Sequence, residues 1–301
     1  MYQEFFQLQQ MPFTLTPNPN FFCHLKSHQE ALNTLVFCLK TGEGFIKITG
    51  EVGTGKTLLC RKLLEILDES FVTAYIPNPD LTPIELRKAF ARELGIEPNS
   101  AQDQHELLTV IYHKLIDYYK QGKHVVLLID EAQSISNESL ETLRLLTNLE
   151  TISHKLMQVV LFAQPELDTR LNKFNFRQLK QRISFSYQLP TMNREDLDAY
   201  IHHRLAISGY THGDLFTKKA RKLLFHASRG IPRLVNIISH KALLTAYGAG
   251  NKKIDCNAMR AAVIDTEAAL LGKRYTLSTL LVGIVMSTGL IAIVAFLTGN
   301  L

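Results

Sequence analysis

Three glycines, a lysine and two threonines are concentrated in one octapeptide, which reads Gly50-Glu51-Val52-Gly53-Thr54-Gly55-Lys56-Thr57 and is followed by Leu58. Glycine adopts positive φ angles at little cost and lets the backbone come close to a ligand. The spacing is that of a P-loop, in which backbone amides surround phosphates, the lysine contacts the β- and γ-phosphates and the hydroxyl ligates Mg²⁺. We therefore predict that residues 50–58 bind a nucleoside triphosphate, with Lys56 on the phosphates and Thr57 on the metal.

Two adjacent acids, Asp130 and Glu131, follow a fully apolar run at residues 125–129. Parallel sheets bind ligands at the carboxyl ends of their strands, so a strand over this run places both acids beside the P-loop. Asp130 suits ligation of Mg²⁺, directly or through water, and Glu131 suits activation of the water that attacks the γ-phosphate. The pair indicates a hydrolase, whereas GTPase-type switches usually position the water with a glutamine. The alternative is that the acids cap the helix that follows.

Five apolar segments rich in β-forming residues alternate with stretches long enough to hold helices. This pattern predicts an α/β fold with a parallel sheet covered by helices on both faces. The predicted strands are Phe45–Thr49, Val72–Ile76, Val125–Ile129, Gln158–Ala163 and Ile183–Leu189. Beyond position 190, four helices are predicted, which begin near Asn193, Thr217, Pro232 and Asp255. We expect an N-terminal segment with the first helix at 1–40, an α/β domain at 41–190 and a small helical lid at 191–272.

The composition is that of a globular protein, because 46% of the 301 residues are hydrophobic and 20% are charged. The net charge of +5 arises from charges of both signs along the chain, so it indicates only a weak preference for anionic partners. The cysteines are far apart in sequence, which argues against a zinc site and a disulfide framework. They are Cys23, Cys38, Cys60 and Cys256.

Residues 277–297 contain no charged side chain. A helix of about 20 apolar residues spans the roughly 30 Å hydrocarbon core of a bilayer. Lys273 and Arg274 precede the run, and positive charge stays on the cytoplasmic side. The pattern predicts a single transmembrane helix with the body of the protein in the cytoplasm. The alternative is a buried helix of the lid, although core helices are usually amphipathic.

The order of these motifs resembles that of AAA+ P-loop ATPases, and more narrowly that of the bacterial general-secretion ATPase family. The resemblance covers nearly all of the chain ahead of the apolar run. It rests on Pro12-Phe13, Pro17-Asn18-Pro19, the run 42–61, Leu128–Gln133, Phe162–Leu167, Arg177–Ile183 and Gly230–Arg233. Because the chain ends just after the apolar run, where type II secretion members continue into a peptidoglycan-binding domain, we expect it to be most similar to members that serve pilus biogenesis.

The resemblance implies roles for three further site residues. Gln164, at the end of the fourth strand, matches the polar sensor of the γ-phosphate, and Arg233 matches the second sensor on the lid. Arg182 occupies the arginine-finger position, which reaches the nucleotide of a neighbouring subunit, and Arg177 is the alternative. A guanidinium suits that role because it stays charged and binds phosphate oxygens through a planar fork. The simpler interpretation of each arginine is a solvated surface charge.

The implied function is that of a homo-oligomer that hydrolyses Mg-ATP at the bacterial inner membrane and supports assembly of a pilus or secretion apparatus with the inner-membrane proteins of that apparatus. A rival interpretation is a DNA-dependent AAA+ ATPase of the transposition or replication-initiation type, since basic charge and the Gly230–Arg233 signature occur there too. The apolar run and the lack of a recognisable helix-turn-helix argue against nucleic acid. A third interpretation is a scaffold that binds ATP without turnover, which the intact P-loop and acid pair disfavour.

Overall fold

The computed structural model describes residues 2–97, 104–150 and 154–269. Its centre is a five-stranded sheet in which every neighbouring pair is parallel, in the order β2-β3-β4-β1-β5. The strands are β1 (Phe45–Thr49), β2 (Phe71–Ile76), β3 (His124–Ile129), β4 (Met157–Ala163) and β5 (Phe185–Gln188). All five predicted strands are present, and the last is shorter at both ends than Ile183–Leu189.

The sequence of each strand fits its place in the sheet. Every residue of β1 and β4 is buried, as expected for apolar central strands that are covered on both faces. The edge strands β2 and β5 are only partly buried. The order of the strands brings the carboxyl end of β4 between those of β3 and β1, which determines how the site is arranged.

Helices cover both faces of this sheet, as the sequence predicts. The helices of the α/β part are α2 (Lys26–Lys40), α3 (Lys56–Ile66), α4 (Pro83–Glu93), α5 (Gln104–Lys120), α6 (Asn137–Leu146), α7 (Glu166–Leu171) and α8 (Arg177–Arg182). Side chains of α2 and α3 pack with one face of the central strands, and those of α4, α5 and α6 pack with the other. The fold is therefore a three-layer α/β sandwich, built from β-strand and helix alternation.

Between the sheet and residue 269 the structure has four helices, and each has the start signal from which it was predicted. They are α9 (Arg194–Ile207), α10 (Lys218–Ser228), α11 (Pro232–Gly248) and α12 (Cys256–Ile264). Asn193 forms a capping box with Asp196, Thr217 and Asp255 cap their helices, and Pro232 occupies the first turn of α11. These helices surround a core of their own, separate from the sheet.

The N-terminal segment and the first helix contribute to two different cores. A short helix α1 (Tyr2–Phe5) and the side chains of Phe6 and Phe13 pack into the core of the four helices. Helix α2 instead packs on the sheet. The polypeptide from Phe13 to Asn18 therefore crosses from one body to the other.

No helix within residues 2–97, 104–150 and 154–269 is long and apolar enough to cross a membrane. The apolar run predicted to span the membrane, residues 277–297, lies outside the described residues.

Candidate nucleotide site

The loop between β1 and α3 has the backbone conformation that its glycines allow. Gly53 has φ of +81° and Gly55 has φ of +100°, values that strain any residue with a side chain. A Cβ atom at position 53 would also lie 2.6 Å from Cβ of Arg233. Gly55 directly precedes α3, so the positive end of that helix faces the loop, as in phosphate sites at helix N-termini.

Lys56 is buried under this loop, with 5% of its surface exposed. Its Nζ donates to the carbonyl oxygens of Gly50 at 2.8 Å and Glu51 at 3.0 Å. Burial lowers the pKa of the ammonium, while the carboxylates of Glu131 and Asp130 act in the opposite direction. Among the residues that the structure describes, no carboxylate accepts a hydrogen bond from this ammonium, so its positive charge can interact with a phosphate.

Asp130 lies at the carboxyl end of β3 and is 2% exposed. Burial raises the pKa of its carboxyl, and hydrogen bonds from the Thr57 hydroxyl and the Glu131 amide lower it in part. The two residues predicted to ligate Mg²⁺ are therefore in contact. A buried carboxylate beside a hydroxyl at the phosphate loop fits a hard divalent cation that takes its other ligands from water and phosphate.

Glu131 has a left-handed backbone, with φ of 49° and ψ of 37°. This conformation costs about 1–2 kcal/mol for a residue with a side chain, and such strain is concentrated at functional positions. The Oε2 atom of Glu131 accepts from the side-chain amide of Gln133 at 2.5 Å and from that of Gln164 at 3.2 Å. The predicted base and the predicted γ-phosphate sensor are therefore neighbours.

One cavity of about 290 Å³ joins the P-loop, Glu131 and the lid. It is lined by Thr14–Asn18, Val52, Gly53, Gly55–Leu58, Glu131, Gln164, Tyr200, Arg204, Pro232, Arg233 and Asn236. Of the predicted nucleotide-binding residues, Gly50 and Glu51 lie behind it as acceptors for Lys56, and Thr54 is buried below the loop with its hydroxyl on the Glu51 carbonyl. The structure thus gathers the P-loop, Glu131, Gln164 and Arg233 around a single space, while Asp130 does not line it and contacts it only through Thr57.

The lid touches the P-loop directly. The backbone N–H of Arg233, in the first turn of α11, donates to the Gly53 carbonyl at 3.2 Å. The side chain of Arg233 is exposed and borders the cavity. To act as a sensor, the Arg233 side chain would have to contact a phosphate in the cavity. This role stays a prediction.

Arg182 lies away from this cavity. Its guanidinium donates to the Arg144 carbonyl at 3.0 Å, to the Thr147 hydroxyl at 2.6 Å and to the Asn148 side chain, at the end of α6. Arg177, the alternative finger, is exposed one turn earlier on α8. Both lie on α8, and a role for either in a neighbouring subunit stays a prediction.

The cavity is also lined by residues that the sequence motifs did not predict, and Arg204 is one of them. Arg204 of α9 is 4% exposed, and its guanidinium stacks on Phe21 at 4.3 Å from the ring centroid. It donates to the carbonyls of Pro12 at 2.5 Å and Thr14 at 3.2 Å. It therefore ties the N-terminal segment to the lid. The pattern of α9 contains the signal, since Arg204 falls on the buried stripe formed with Leu197, Tyr200, Ile201 and Leu205.

His28 is a second residue missed from the sequence. It is buried on α2, and its Nε2 lies 3.0 Å from the Thr54 carbonyl of the P-loop. Burial lowers the pKa of its imidazole. No local pattern in α2 distinguishes His28 from a core histidine. Its contact with the P-loop is revealed only by the packing of α2 against that loop.

A phosphate loop after β1, paired acids after β3 and this strand order define a P-loop nucleoside triphosphatase fold of the AAA+ class. A family model described as an AAA domain matches residues 39–171. The chain is similar to general secretion pathway protein A of Aeromonas hydrophila, with 43% identity over 254 residues that make up 84% of this chain and 46% of that relative. It therefore spans about half the length of the curated relative that it matches.

Solved structures share the fold at lower identity. The ORC2 protein of Aeropyrum pernix, in ADPNP-ADP complexes, is 18% identical with a TM-score of 0.64 over 88% of this chain and 73% of that one. Cdc6p of Pyrobaculum aerophilum is 18% identical with a TM-score of 0.65 over 90% and 72%. The RuvB branch migration motor of Thermotoga maritima is 15% identical with a TM-score of 0.55 over 85% and 73%. The fold and the secretion relative together support ATPase activity in general terms.

Proposed function

We propose that this protein binds and hydrolyses Mg-ATP as a homo-oligomer anchored in the bacterial inner membrane through residues 277–297, with its ATPase part in the cytoplasm. The observation that carries the proposal is that Lys56, Thr57 and Glu131 line one cavity, with Asp130 hydrogen-bonded to Thr57. The similarity to general secretion pathway protein A supports a role in assembling an envelope-spanning apparatus.

The chain's own groups suit in-line hydrolysis of the γ-phosphate. Lys56 and the loop amides bind the phosphates, and Mg²⁺ on Thr57 and Asp130 would neutralise their charge. Glu131 accepts a proton from water as the water oxygen bonds to the γ-phosphorus. The bond from that phosphorus to the bridging oxygen breaks, and the electron pair leaves with ADP. Gln164, beside Glu131, is placed to contact the water or a γ-phosphate oxygen.

Two variants test this assignment. Lys56→Ala should abolish nucleotide binding, measured by calorimetry, because the buried ammonium is held at the loop by the Gly50 and Glu51 carbonyls. Glu131→Gln should bind Mg-ATP normally and stall turnover, since an amide cannot accept the proton. Lys62→Ala, a change on the solvent side of α3 where Lys62 pairs with Glu65, is the control and should leave both unchanged. Wild-type turnover in Glu131→Gln would remove Glu131 as the base.

The apparatus is proposed to be a type IV pilus of the mannose-sensitive haemagglutinin type. This finer proposal rests on the resemblance of the motif order described above to the pilus-biogenesis members of the general-secretion ATPase family. Deletion of the chromosomal copy should then abolish surface pili, and complementation with Glu131→Gln should fail to restore them. Membrane fractionation of the full chain, compared with a chain ending at residue 276, tests the anchor. Recovery of both in the soluble fraction would refute it.

A DNA-dependent ATPase is the second candidate. Exposed lysines at positions 218, 219 and 222 lie on one side of α10, and structural neighbours of the fold include an ORC1 protein of Aeropyrum pernix in complex with DNA. Duplex DNA that stimulates turnover of the full chain, with an affinity that falls steeply with salt, would favour this candidate over the pilus role.

A further inference from the structure

The loop that carries the predicted base is fixed by a glutamine to which the motifs assign no role. Gln133 donates from Nε2 to Glu131 Oε2 at 2.5 Å, and its Oε1 accepts from the backbone N–H of Gln164 at 3.0 Å. One side chain thus bridges the base on the loop after β3 and the end of β4. Both ends of the amide are used, one as a donor and one as an acceptor.

Gln133 is itself held by an arginine of the helix that follows Gln164. Arg170 of α7 donates to the Gln133 carbonyl at 2.7 Å and to the Ile135 carbonyl at 2.6 Å. It also donates to the side chain of Asn137 at 2.9 Å. Charge-assisted hydrogen bonds of this kind are stronger than neutral ones, so the loop is restrained against the end of β4.

We propose that Gln133 is a positioning residue for hydrolysis, which holds the Glu131 carboxylate in the orientation that takes a proton from water, and that Arg170 holds Gln133. The inference rests on the proposed role of Glu131 as the base. The amides of Gln133 and Gln164 both donate to Oε2, which fixes the plane of the carboxylate and assigns Oε1 to the water. The left-handed backbone at Glu131 gives the carboxylate this direction, and the amide bridge maintains it.

The chemistry explains why glutamine is needed at this position. Glutamate has no donor for Glu131 and would add a like charge beside it. Methionine has the same length but neither forms the donor contact nor accepts from the Gln164 amide. Gln133→Met therefore removes the bridge and keeps the volume.

The test compares steady-state turnover and Mg-ATP affinity of the full chain. Misplacement of a reacting group by about 1 Å costs up to roughly 100-fold, so Gln133→Met should lower kcat by about 10- to 100-fold. KM and the Kd for Mg-ATP should stay within about twofold, because Gln133 does not line the cavity. Arg170→Lys, which keeps the charge but loses the planar fork, should lower kcat less than Gln133→Met.

Gln158→Met is the matched control. Gln158 also bridges two elements, since its Nε2 donates from β4 to the Glu43 carbonyl at 2.9 Å, and it is more deeply buried than the half-buried Gln133. It lies at the opposite end of the strand from Gln164, so its loss should lower stability and leave kcat unchanged.

A double variant separates positioning from a structural role. If Gln133 acts through Glu131, adding Gln133→Met to Glu131→Gln should lower kcat no further, because effects of residues that act as a unit are not additive. Wild-type or faster turnover of Gln133→Met, or additive losses in the double variant, would overturn the inference while Glu131 keeps its role. Turnover retained by Glu131→Gln alone would instead refute the base, and this inference with it.

Discussion

The tie between the N-terminal segment and the lid makes a quantitative prediction for Arg204→Met. The substitution removes hydrogen bonds to the Pro12 and Thr14 carbonyls and the stacking on Phe21. Hydrogen bonds from a charged group contribute about 1.5–3 kcal/mol each. Stacking of the cation contributes about 1 kcal/mol. Relief of the buried charge returns several kcal/mol, so we expect a net loss of roughly 2 kcal/mol in the free energy of unfolding.

The same change should weaken nucleotide binding, because Thr14–Asn18 forms one wall of the cavity. If binding requires this segment to be docked, a loss of 2 kcal/mol weakens the apparent affinity by up to roughly 30-fold. Arg204→Lys keeps the charge but loses the planar guanidinium, so its nucleotide affinity should fall between those of the wild type and Arg204→Met. Isothermal calorimetry measures the affinity, and urea unfolding of the same preparations measures the stability.

Arg221→Met provides the control for Arg204. Arg221 of α10 pairs with Asp198 and Asp214, and it does not line the cavity. It should leave nucleotide affinity unchanged. If Arg204→Met loses the expected stability yet binds Mg-ATP within twofold of the wild type, the segment from Pro12 to Asn18 is not a wall on which the nucleotide depends.

Three further predictions concern charge and backbone. Burial raises the pKa of Asp130, so the ionised carboxylate lowers the stability of the folded protein at neutral pH. Asp130→Asn should therefore raise the midpoint of urea unfolding and abolish the Mg²⁺ dependence of nucleotide binding. A lower midpoint would contradict this prediction. Burial lowers the pKa values of His28, His203 and His240 below 6.5, so the unfolded chain binds more protons in that range and stability should fall as pH drops from about 7 to 5.5. His28→Gln should make that slope shallower, and an unchanged slope would exclude His28 as a contributor. Gly230→Ala places a Cβ 2.1 Å from the Met192 carbonyl at φ of +71° and should cost at least about 2 kcal/mol, whereas Gly250→Ala, with φ of +69° and open space, should cost only about 1 kcal/mol by the same urea assay.

The sheet and the phosphate loop were predictable because each depends on a local pattern. Apolar runs at β1, β3 and β4 identify buried parallel strands, and the octapeptide that leads into α3 has the spacing of a phosphate-binding loop. Helix starts at Asn193 and Thr217 follow from side chains that cap their own backbone. In each case the physical cause lies within a few residues of its effect.

Contacts between distant segments were not predictable in the same way. His28 meets Thr54 only because α2 packs against the loop after β1, and Arg204 meets Pro12 only because the chain crosses back to the lid. Arg182 had a position in a motif, but the residues that it contacts, at the end of α6, depend on how α8 docks. The buried face of α9 shows that an arginine at an otherwise apolar position can indicate a functional contact even when no motif is present.

The arrangement of these contacts implies that the lid responds to the state of the phosphate loop. The Gly53 carbonyl accepts from the first turn of α11, and Arg204 and Asn236 of the same lid hold Thr14 on the far side of the cavity. A triphosphate in the cavity would therefore contact the P-loop, the N-terminal segment and the lid at once. The N-terminal segment and the lid are tied together. A change at the γ-phosphate that moves the P-loop at Gly53 must therefore either break the hydrogen bond between Gly53 and Arg233 or move the lid together with the N-terminal segment. Motion of a whole body costs fewer contacts than separate rearrangements, so hydrolysis is expected to shift the lid and the N-terminal segment as one unit.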